Sequence, residues 1–91
     1  MYSKNYEYRI KLFDPQWKKK RNRILLRDGF KCVNCKYRSN LHVHHRQYHF
    51  NKATNSFINP WEYEDYLLIT LCKWCHKKGH KLYDIPIIIT K

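Results

Sequence analysis

Two Cys-x-x-Cys pairs, Cys32–Cys35 and Cys72–Cys75, constrain this chain more than any other feature. Two residues between ligands allow a tight turn that aims both sulfurs at one ion, and a second such turn completes four-coordination. The pairs are further apart than in a compact zinc ribbon, so the intervening segment must loop out and return. A closed four-cysteine site has no open coordination position, and its binding free energy adds directly to folding. The expected role is structural, with zinc as the expected ion. An iron-bound four-cysteine site shares the spacing and stays open as an alternative. A thioredoxin-type redox role needs one such pair on a βαβ frame, and here there are two pairs and no such frame. Two disulfides in an exported domain are the remaining alternative. The run Met1-Tyr2-Ser3-Lys4-Asn5-Tyr6-Glu7 has no apolar signal region. The expected setting is therefore the reducing cytoplasm, where paired cysteines more often bind metal.

A metal staple also suits the size. A chain of 91 residues is expected to form one domain, and a domain of that length buries only about 60% of its unfolded surface. A hydrophobic content of 43% with 16% aromatics argues against disorder. Nineteen Lys and Arg against seven Asp and Glu leave a net charge of +12. Such an excess costs self-repulsion in a compact state and points to a polyanionic partner. The longest apolar runs, such as Ile85–Ile89 interrupted by Pro86, fall far short of the ~20 residues of a membrane helix.

The order of elements follows from local signals. Residues 1–13 read as an N-terminal arm, helical or irregular. Asp14-Pro15-Gln16-Trp17 predicts a helix start, with Asp as N-cap and Pro at a position that needs no N–H. That helix should run to about Arg27, bury Trp17, Ile24 and Leu25, and stop at Asp28-Gly29. Its cations Lys18, Lys19, Lys20, Arg21, Arg23 and Arg27 have no acidic partner at helical spacing, which favours a phosphate-contacting face over a merely solvated one. Leu41-His42-Val43-His44-His45 reads as a strand. Residues 46–60 resemble a long ordered loop, and Leu67–Leu71 an extended approach to the second cysteine pair. A helix is expected from Cys75 to about Tyr83, followed by an extended, packed, β-branched tail over 84–91.

The histidines supply the second constellation. His76 and His80 share one helix face, so two imidazoles at i,i+4 can hold one ion. His44 and His45 are adjacent in a strand and face opposite ways, so one can ligate while the other acts as a base. His42 and His49 read as surface residues.

Taken in order, Cys32-x-x-Cys35, Leu41-x-Val43-His44-His45 and Leu71-Cys72-x-x-Cys75-His76-x-x-x-His80 resemble the HNH (ββα-metal) nucleases. The Asp14-Pro15-x-Trp17 lead-in, the Asp28-Gly29-Phe30-x-Cys32 junction and Pro60-Trp61-Glu62-Tyr63 resemble a bacterial and phage branch of that family. The resemblance covers roughly residues 6–85. It implies an α+β fold of the small ββα-metal type, with the basic helix ahead of it and the four-cysteine zinc site built in. It implies that His45 is the general base, and that His44, His76 and His80 hold one divalent ion, Mg²⁺, Mn²⁺, Ni²⁺ or Zn²⁺. The implied activity is metal-dependent hydrolysis of DNA phosphodiester bonds, most naturally in double-stranded DNA. The family's middle Asn falls on Leu67, which has no side-chain hydrogen bond to offer. Asp65 is the candidate to orient the base in its place, Asn59 a weaker one, and a backbone carbonyl another solution.

Lys18, Lys19, Arg21, Arg23, Arg46 and Lys77 are the expected nucleic-acid contacts. They would position the backbone without specifying sequence. Two other classes remain open. One is a non-catalytic zinc-knuckle module that binds nucleic acid, and the other an accessory component of a larger DNA-packaging or restriction assembly.

Overall fold

The computed structural model describes residues 9–82 and 84–90. The expected arm over 1–8, Tyr83 at the expected helix end, and Lys91 lie outside the described residues. Residues 9–11 form a helical turn, and Leu12 behind it packs on the core. The elements that follow are α1 (Pro15–Arg27), β1 (Leu41–His45), β2 (Tyr48–Asn51), β3 (Ser56–Phe57), β4 (Leu68–Cys72), α2 (Lys73–Leu82) and β5 (Ile87–Thr90). Short 3₁₀ turns occupy Pro60–Glu62 and Asp65–Leu67. The result is a small α+β domain.

The local signals act as their chemistry requires. Asp14 stays extended, and its carboxylate accepts the Gln16 N–H at 2.8 Å, with Pro15 opening α1. At the other end the Phe30 N–H donates to the Leu25 carbonyl and the Gly29 N–H to Leu26. This pairing needs a left-handed residue just past the helix, and Gly29 supplies it at φ +71°. Trp17, Ile24 and Leu25 are buried, as their spacing predicts.

β1 and β4 pair antiparallel, with Leu41 opposite Cys72 and His45 opposite Leu68. α2 starts directly after β4, two residues before the expected Cys75. The ribbon lies between the two helices. Val43 and His45 are buried on the α1 side, where Trp17, Ile24, Leu25, Tyr63, Leu67 and Leu68 complete the core. His42 and His44, on the alternate face, meet α2 through His76. A smaller cluster of Cys32, Leu71 and Cys72 closes the cysteine end.

The expected long loop over 46–60 is corrected: it contains the β2–β3 hairpin, with Phe50 opposite Phe57. All four residues of β2 are half-buried, so its sequence shows no in–out alternation to read. The hairpin turn puts Asn55 at φ +54°, a conformation Asn tolerates better than most residues. The tail is extended as expected, pairing as β5 parallel to β2 with Tyr48 opposite Ile87. It is not packed away, because Ile87, Ile88 and Ile89 remain exposed. Among the described residues, no helix is long and apolar enough to cross a membrane.

Candidate metal centres

The four cysteines converge. Their sulfurs all lie within 4.8 Å of one another, with Cys35 Sγ and Cys72 Sγ 3.6 Å apart. A tetrahedral ion with bonds of about 2.3 Å needs sulfur–sulfur edges of about 3.8 Å. Each pair forms the same knuckle: the Cys35 N–H points to Cys32 Sγ and the Cys75 N–H to Cys72 Sγ, both at 3.5 Å. Asn34 adds a side-chain N–H to Cys75 Sγ at 3.3 Å. Lys36 turns left-handed at φ +70°, and its N–H returns to the Cys32 carbonyl at 2.9 Å. Burial alone would raise the Cys32 thiol, but backbone N–H groups of Cys35, Cys72 and Asn34 outweigh it and draw the thiol down to about 6. Such donors favour a thiolate, the form that binds metal. All four cysteines are free, and the cluster is compatible with a structural metal ion such as zinc.

The histidines form a second cluster between β1 and α2, on one side of the ribbon. Ring nitrogens of His44, His76 and His80 lie within 4.8 Å of one another. His76 and His80, one turn apart on α2, bring their Nε2 atoms to 2.9 Å. The His44 ring centroid is 4.8 Å from that of His76 and 5.3 Å from that of His80. Burial lowers His44 to about 4, helped by the charges of His80, His45 and Arg46. His76 is lowered to about 4 by burial and then by His44, His80 and His42. Both are therefore neutral near pH 7, as ligands must be. His42 is exposed, as expected, but sequence reasoning missed its contact with the cluster: its Nδ1 lies 3.0 Å from His76 Nδ1. The i, i+2 spacing from His44 was the signal that could have found it.

His45 belongs to the core. It is 5% exposed, stacks on Trp17 at 5.0 Å and Tyr48 at 5.7 Å, and meets the edge of Tyr63 at 4.9 Å. Its Nε2 is 3.2 Å from the Pro60 carbonyl. A carbonyl only accepts, so Nε2 carries the proton and Nδ1 is the basic nitrogen. Burial lowers this imidazole to about 4, against the opposing effect of Pro60. His45 nonetheless lines the same cavity, of about 280 Å³, as His44, His76, His80, Trp17 and Arg21.

Asp65 does not orient that ring. Its carboxylate is bound by Lys20 at 2.6 Å and Arg23 at 2.7 Å. The backbone does the work instead: Pro60 holds the ring, and the Arg46 N–H donates to the Leu67 carbonyl at 2.8 Å. Leu67 itself is buried in the core, so the residue without a polar side chain still tethers the chain behind His45 through its own carbonyl.

The basic run on α1 is likewise corrected in part. Arg23 and Lys20 pair with Asp65, and Arg27 pairs with Asp28 at 2.9 Å and donates to the carbonyls of Asp65 and Leu68. Arg21 donates to the Leu41 carbonyl at 3.1 Å on the wall of the histidine cavity. Lys18, Lys19 and Lys77 are exposed. Arg46 is exposed and lines a neighbouring cavity with His44. His49, expected at the surface, is half-buried against Tyr63 and bonded to Gln47 at 2.7 Å.

No protein-family model, curated protein or solved structure matches the chain. Its chemistry is read from its own residues.

Proposed function

We propose that this domain is a metal-dependent endonuclease of the HNH type that hydrolyses DNA phosphodiester bonds, with a structural zinc in the four-cysteine site. One observation carries the reading: three imidazoles from β1 and α2 converge on a point in the cavity that His45 also lines. Three neutral ligands leave a divalent ion its full charge and open positions. When bound, that ion supplies positive charge against the phosphate as negative charge develops on it.

The chain's own groups supply the rest. His45, held through Nε2–H by Pro60, takes the proton of the attacking water at Nδ1. Its low proton affinity keeps it unprotonated at neutral pH, so the base is always available but weak. Arg21 lines this cavity and Arg46 a neighbouring one that shares His44, and in this reading both guanidinium groups hold the phosphate. Lys18, Lys19 and Lys77 extend the positive surface along the backbone. Arg23 serves this surface only with the charge that Asp65 leaves it.

The test is plasmid nicking with Mg²⁺, Mn²⁺, Ni²⁺ or Zn²⁺, wild type against His45→Ala. Cleavage by wild type that disappears in the variant is the expected result. Equal cleavage by both rejects His45 as the base.

The burial of His45 favours a second reading, in which the ring is a core residue and the domain binds nucleic acid without cutting it. That reading predicts tight, salt-sensitive DNA binding and no cleavage with any of the four ions.

A further inference from the structure

We infer that His42 is a positioning residue for the histidine metal site, accepting a hydrogen bond from His76 and so fixing which nitrogen of His76 faces the ion. The inference rests on reading His44, His76 and His80 as ligands of one ion.

The argument starts from the two ends of one ring. Nε2 of His76 lies 2.9 Å from Nε2 of His80, within the converging set. Nδ1 of the same ring points the other way and lies 3.0 Å from Nδ1 of His42. The two nitrogens of an imidazole diverge and cannot face the same ion. If Nε2 ligates, it must be unprotonated, and Nδ1 then carries the hydrogen. A ligating histidine usually gives that hydrogen to a carboxylate or carbonyl, which sets the ring's tautomer and orientation. Among the described residues, no carboxylate bonds to His76; the acceptor it meets is His42 Nδ1. The proton of His42 is then on its own Nε2.

The backbone fixes this partnership. His42 and His44 are two residues apart on β1 and therefore share a face. β1 is anchored opposite β4, with His42 across from Leu71 and His44 across from Ile69. α2 follows β4 without a linker, so His76 is presented to both histidines at once. His44 reaches the ion, and His42 reaches the back of a ring that already does.

The test uses full-length protein with zinc in the four-cysteine site, titrated with Ni²⁺, an ion suited to imidazole ligands, and followed by calorimetry. His42→Ala removes the acceptor, His42→Phe keeps a ring without one, and His42→Asn places a carbonyl oxygen near the position of Nδ1. Affinity should fall about 10- to 100-fold in the Ala and Phe variants and stay near wild type in Asn. Unchanged affinity in His42→Ala overturns the proposal and leaves the three-histidine site standing. Rescue by Phe rather than Asn overturns it in favour of ring packing, and an Asn variant as weak as Phe overturns the acceptor role. If wild type takes up no second ion, the proposal and the metal-site reading fall together. Should His42→Ala misfold by circular dichroism, the Phe and Asn pair decides.

Discussion

His44 and His45 are consecutive in the chain, yet β1 sends His44 towards His76 and His80 on α2 and His45 against Trp17 on α1. Period-two alternation separates the two rings: His44 lies with the other two imidazoles of the cluster, and His45 lies where the Pro60 carbonyl can fix its tautomer. The division gives a separable pair of phenotypes. His44→Ala should abolish uptake of the second ion and cleavage with it. His45→Ala should leave Ni²⁺ affinity near wild type and slow nicking by about 10²- to 10⁴-fold. Calorimetry and a nicking time course on the same preparations check both.

Removing the zinc proposed for the cysteine cluster should cost most of the fold. Binding free energy at such sites is on the order of 10 kcal/mol near pH 7, comparable to the whole folding stability of a small domain. A strong chelator, or Cys72→Ser, should lower Tm steeply and abolish cooperative melting by circular dichroism. A chelated chain that melts as before would show that the core alone suffices. Cobalt substitution giving thiolate charge-transfer bands would identify the ligands directly.

Asp65 holds two cations that would otherwise face solvent. Asp65→Asn should cost about 1 kcal/mol or less, since ion pairs of this exposure contribute little. Freed, Lys20 and Arg23 should tighten DNA binding and steepen the plot of log K against log salt by up to about 2. Binding measured across a salt series decides, and an unchanged slope would place both cations away from the phosphate backbone.

Asp28 ties the end of α1 to β4: it pairs with Arg27 and accepts the Thr70 N–H at 3.0 Å. Its burial would raise the carboxyl, but Arg27 and Thr70 outweigh this and hold it below the usual carboxylate range. A depressed folded value means that the stabilisation is complete above the unfolded value of about 4 and is lost as pH falls through the folded one. Asp28→Asn should therefore destabilise by about 1–3 kcal/mol at neutral pH, with the difference from wild type shrinking below about pH 4. Urea melts at pH 7 and pH 3 test the sign.

What was legible in the sequence was local or ligand-spaced. The Asp14-Pro15 start, the Gly29 stop, the inward Trp17, Ile24 and Leu25, the two knuckles and the opposed histidines each follow from a period or from the reach of a short turn. What was hidden depends on residues brought together from afar. Asp65 lies 45 positions from Lys20, so no helical spacing betrays the pair. β2 owes its existence to β3 and to a distant β5, and being half-buried on both faces it carries no alternation. His42 is exposed, as expected, but its contact with His76 was hidden because that partner arrives from a distant part of the chain.

Cys75 and His76 are consecutive residues of a single helical turn. Any displacement of that turn moves a thiol and an imidazole together, so a disturbance that begins in one cluster is felt in the other.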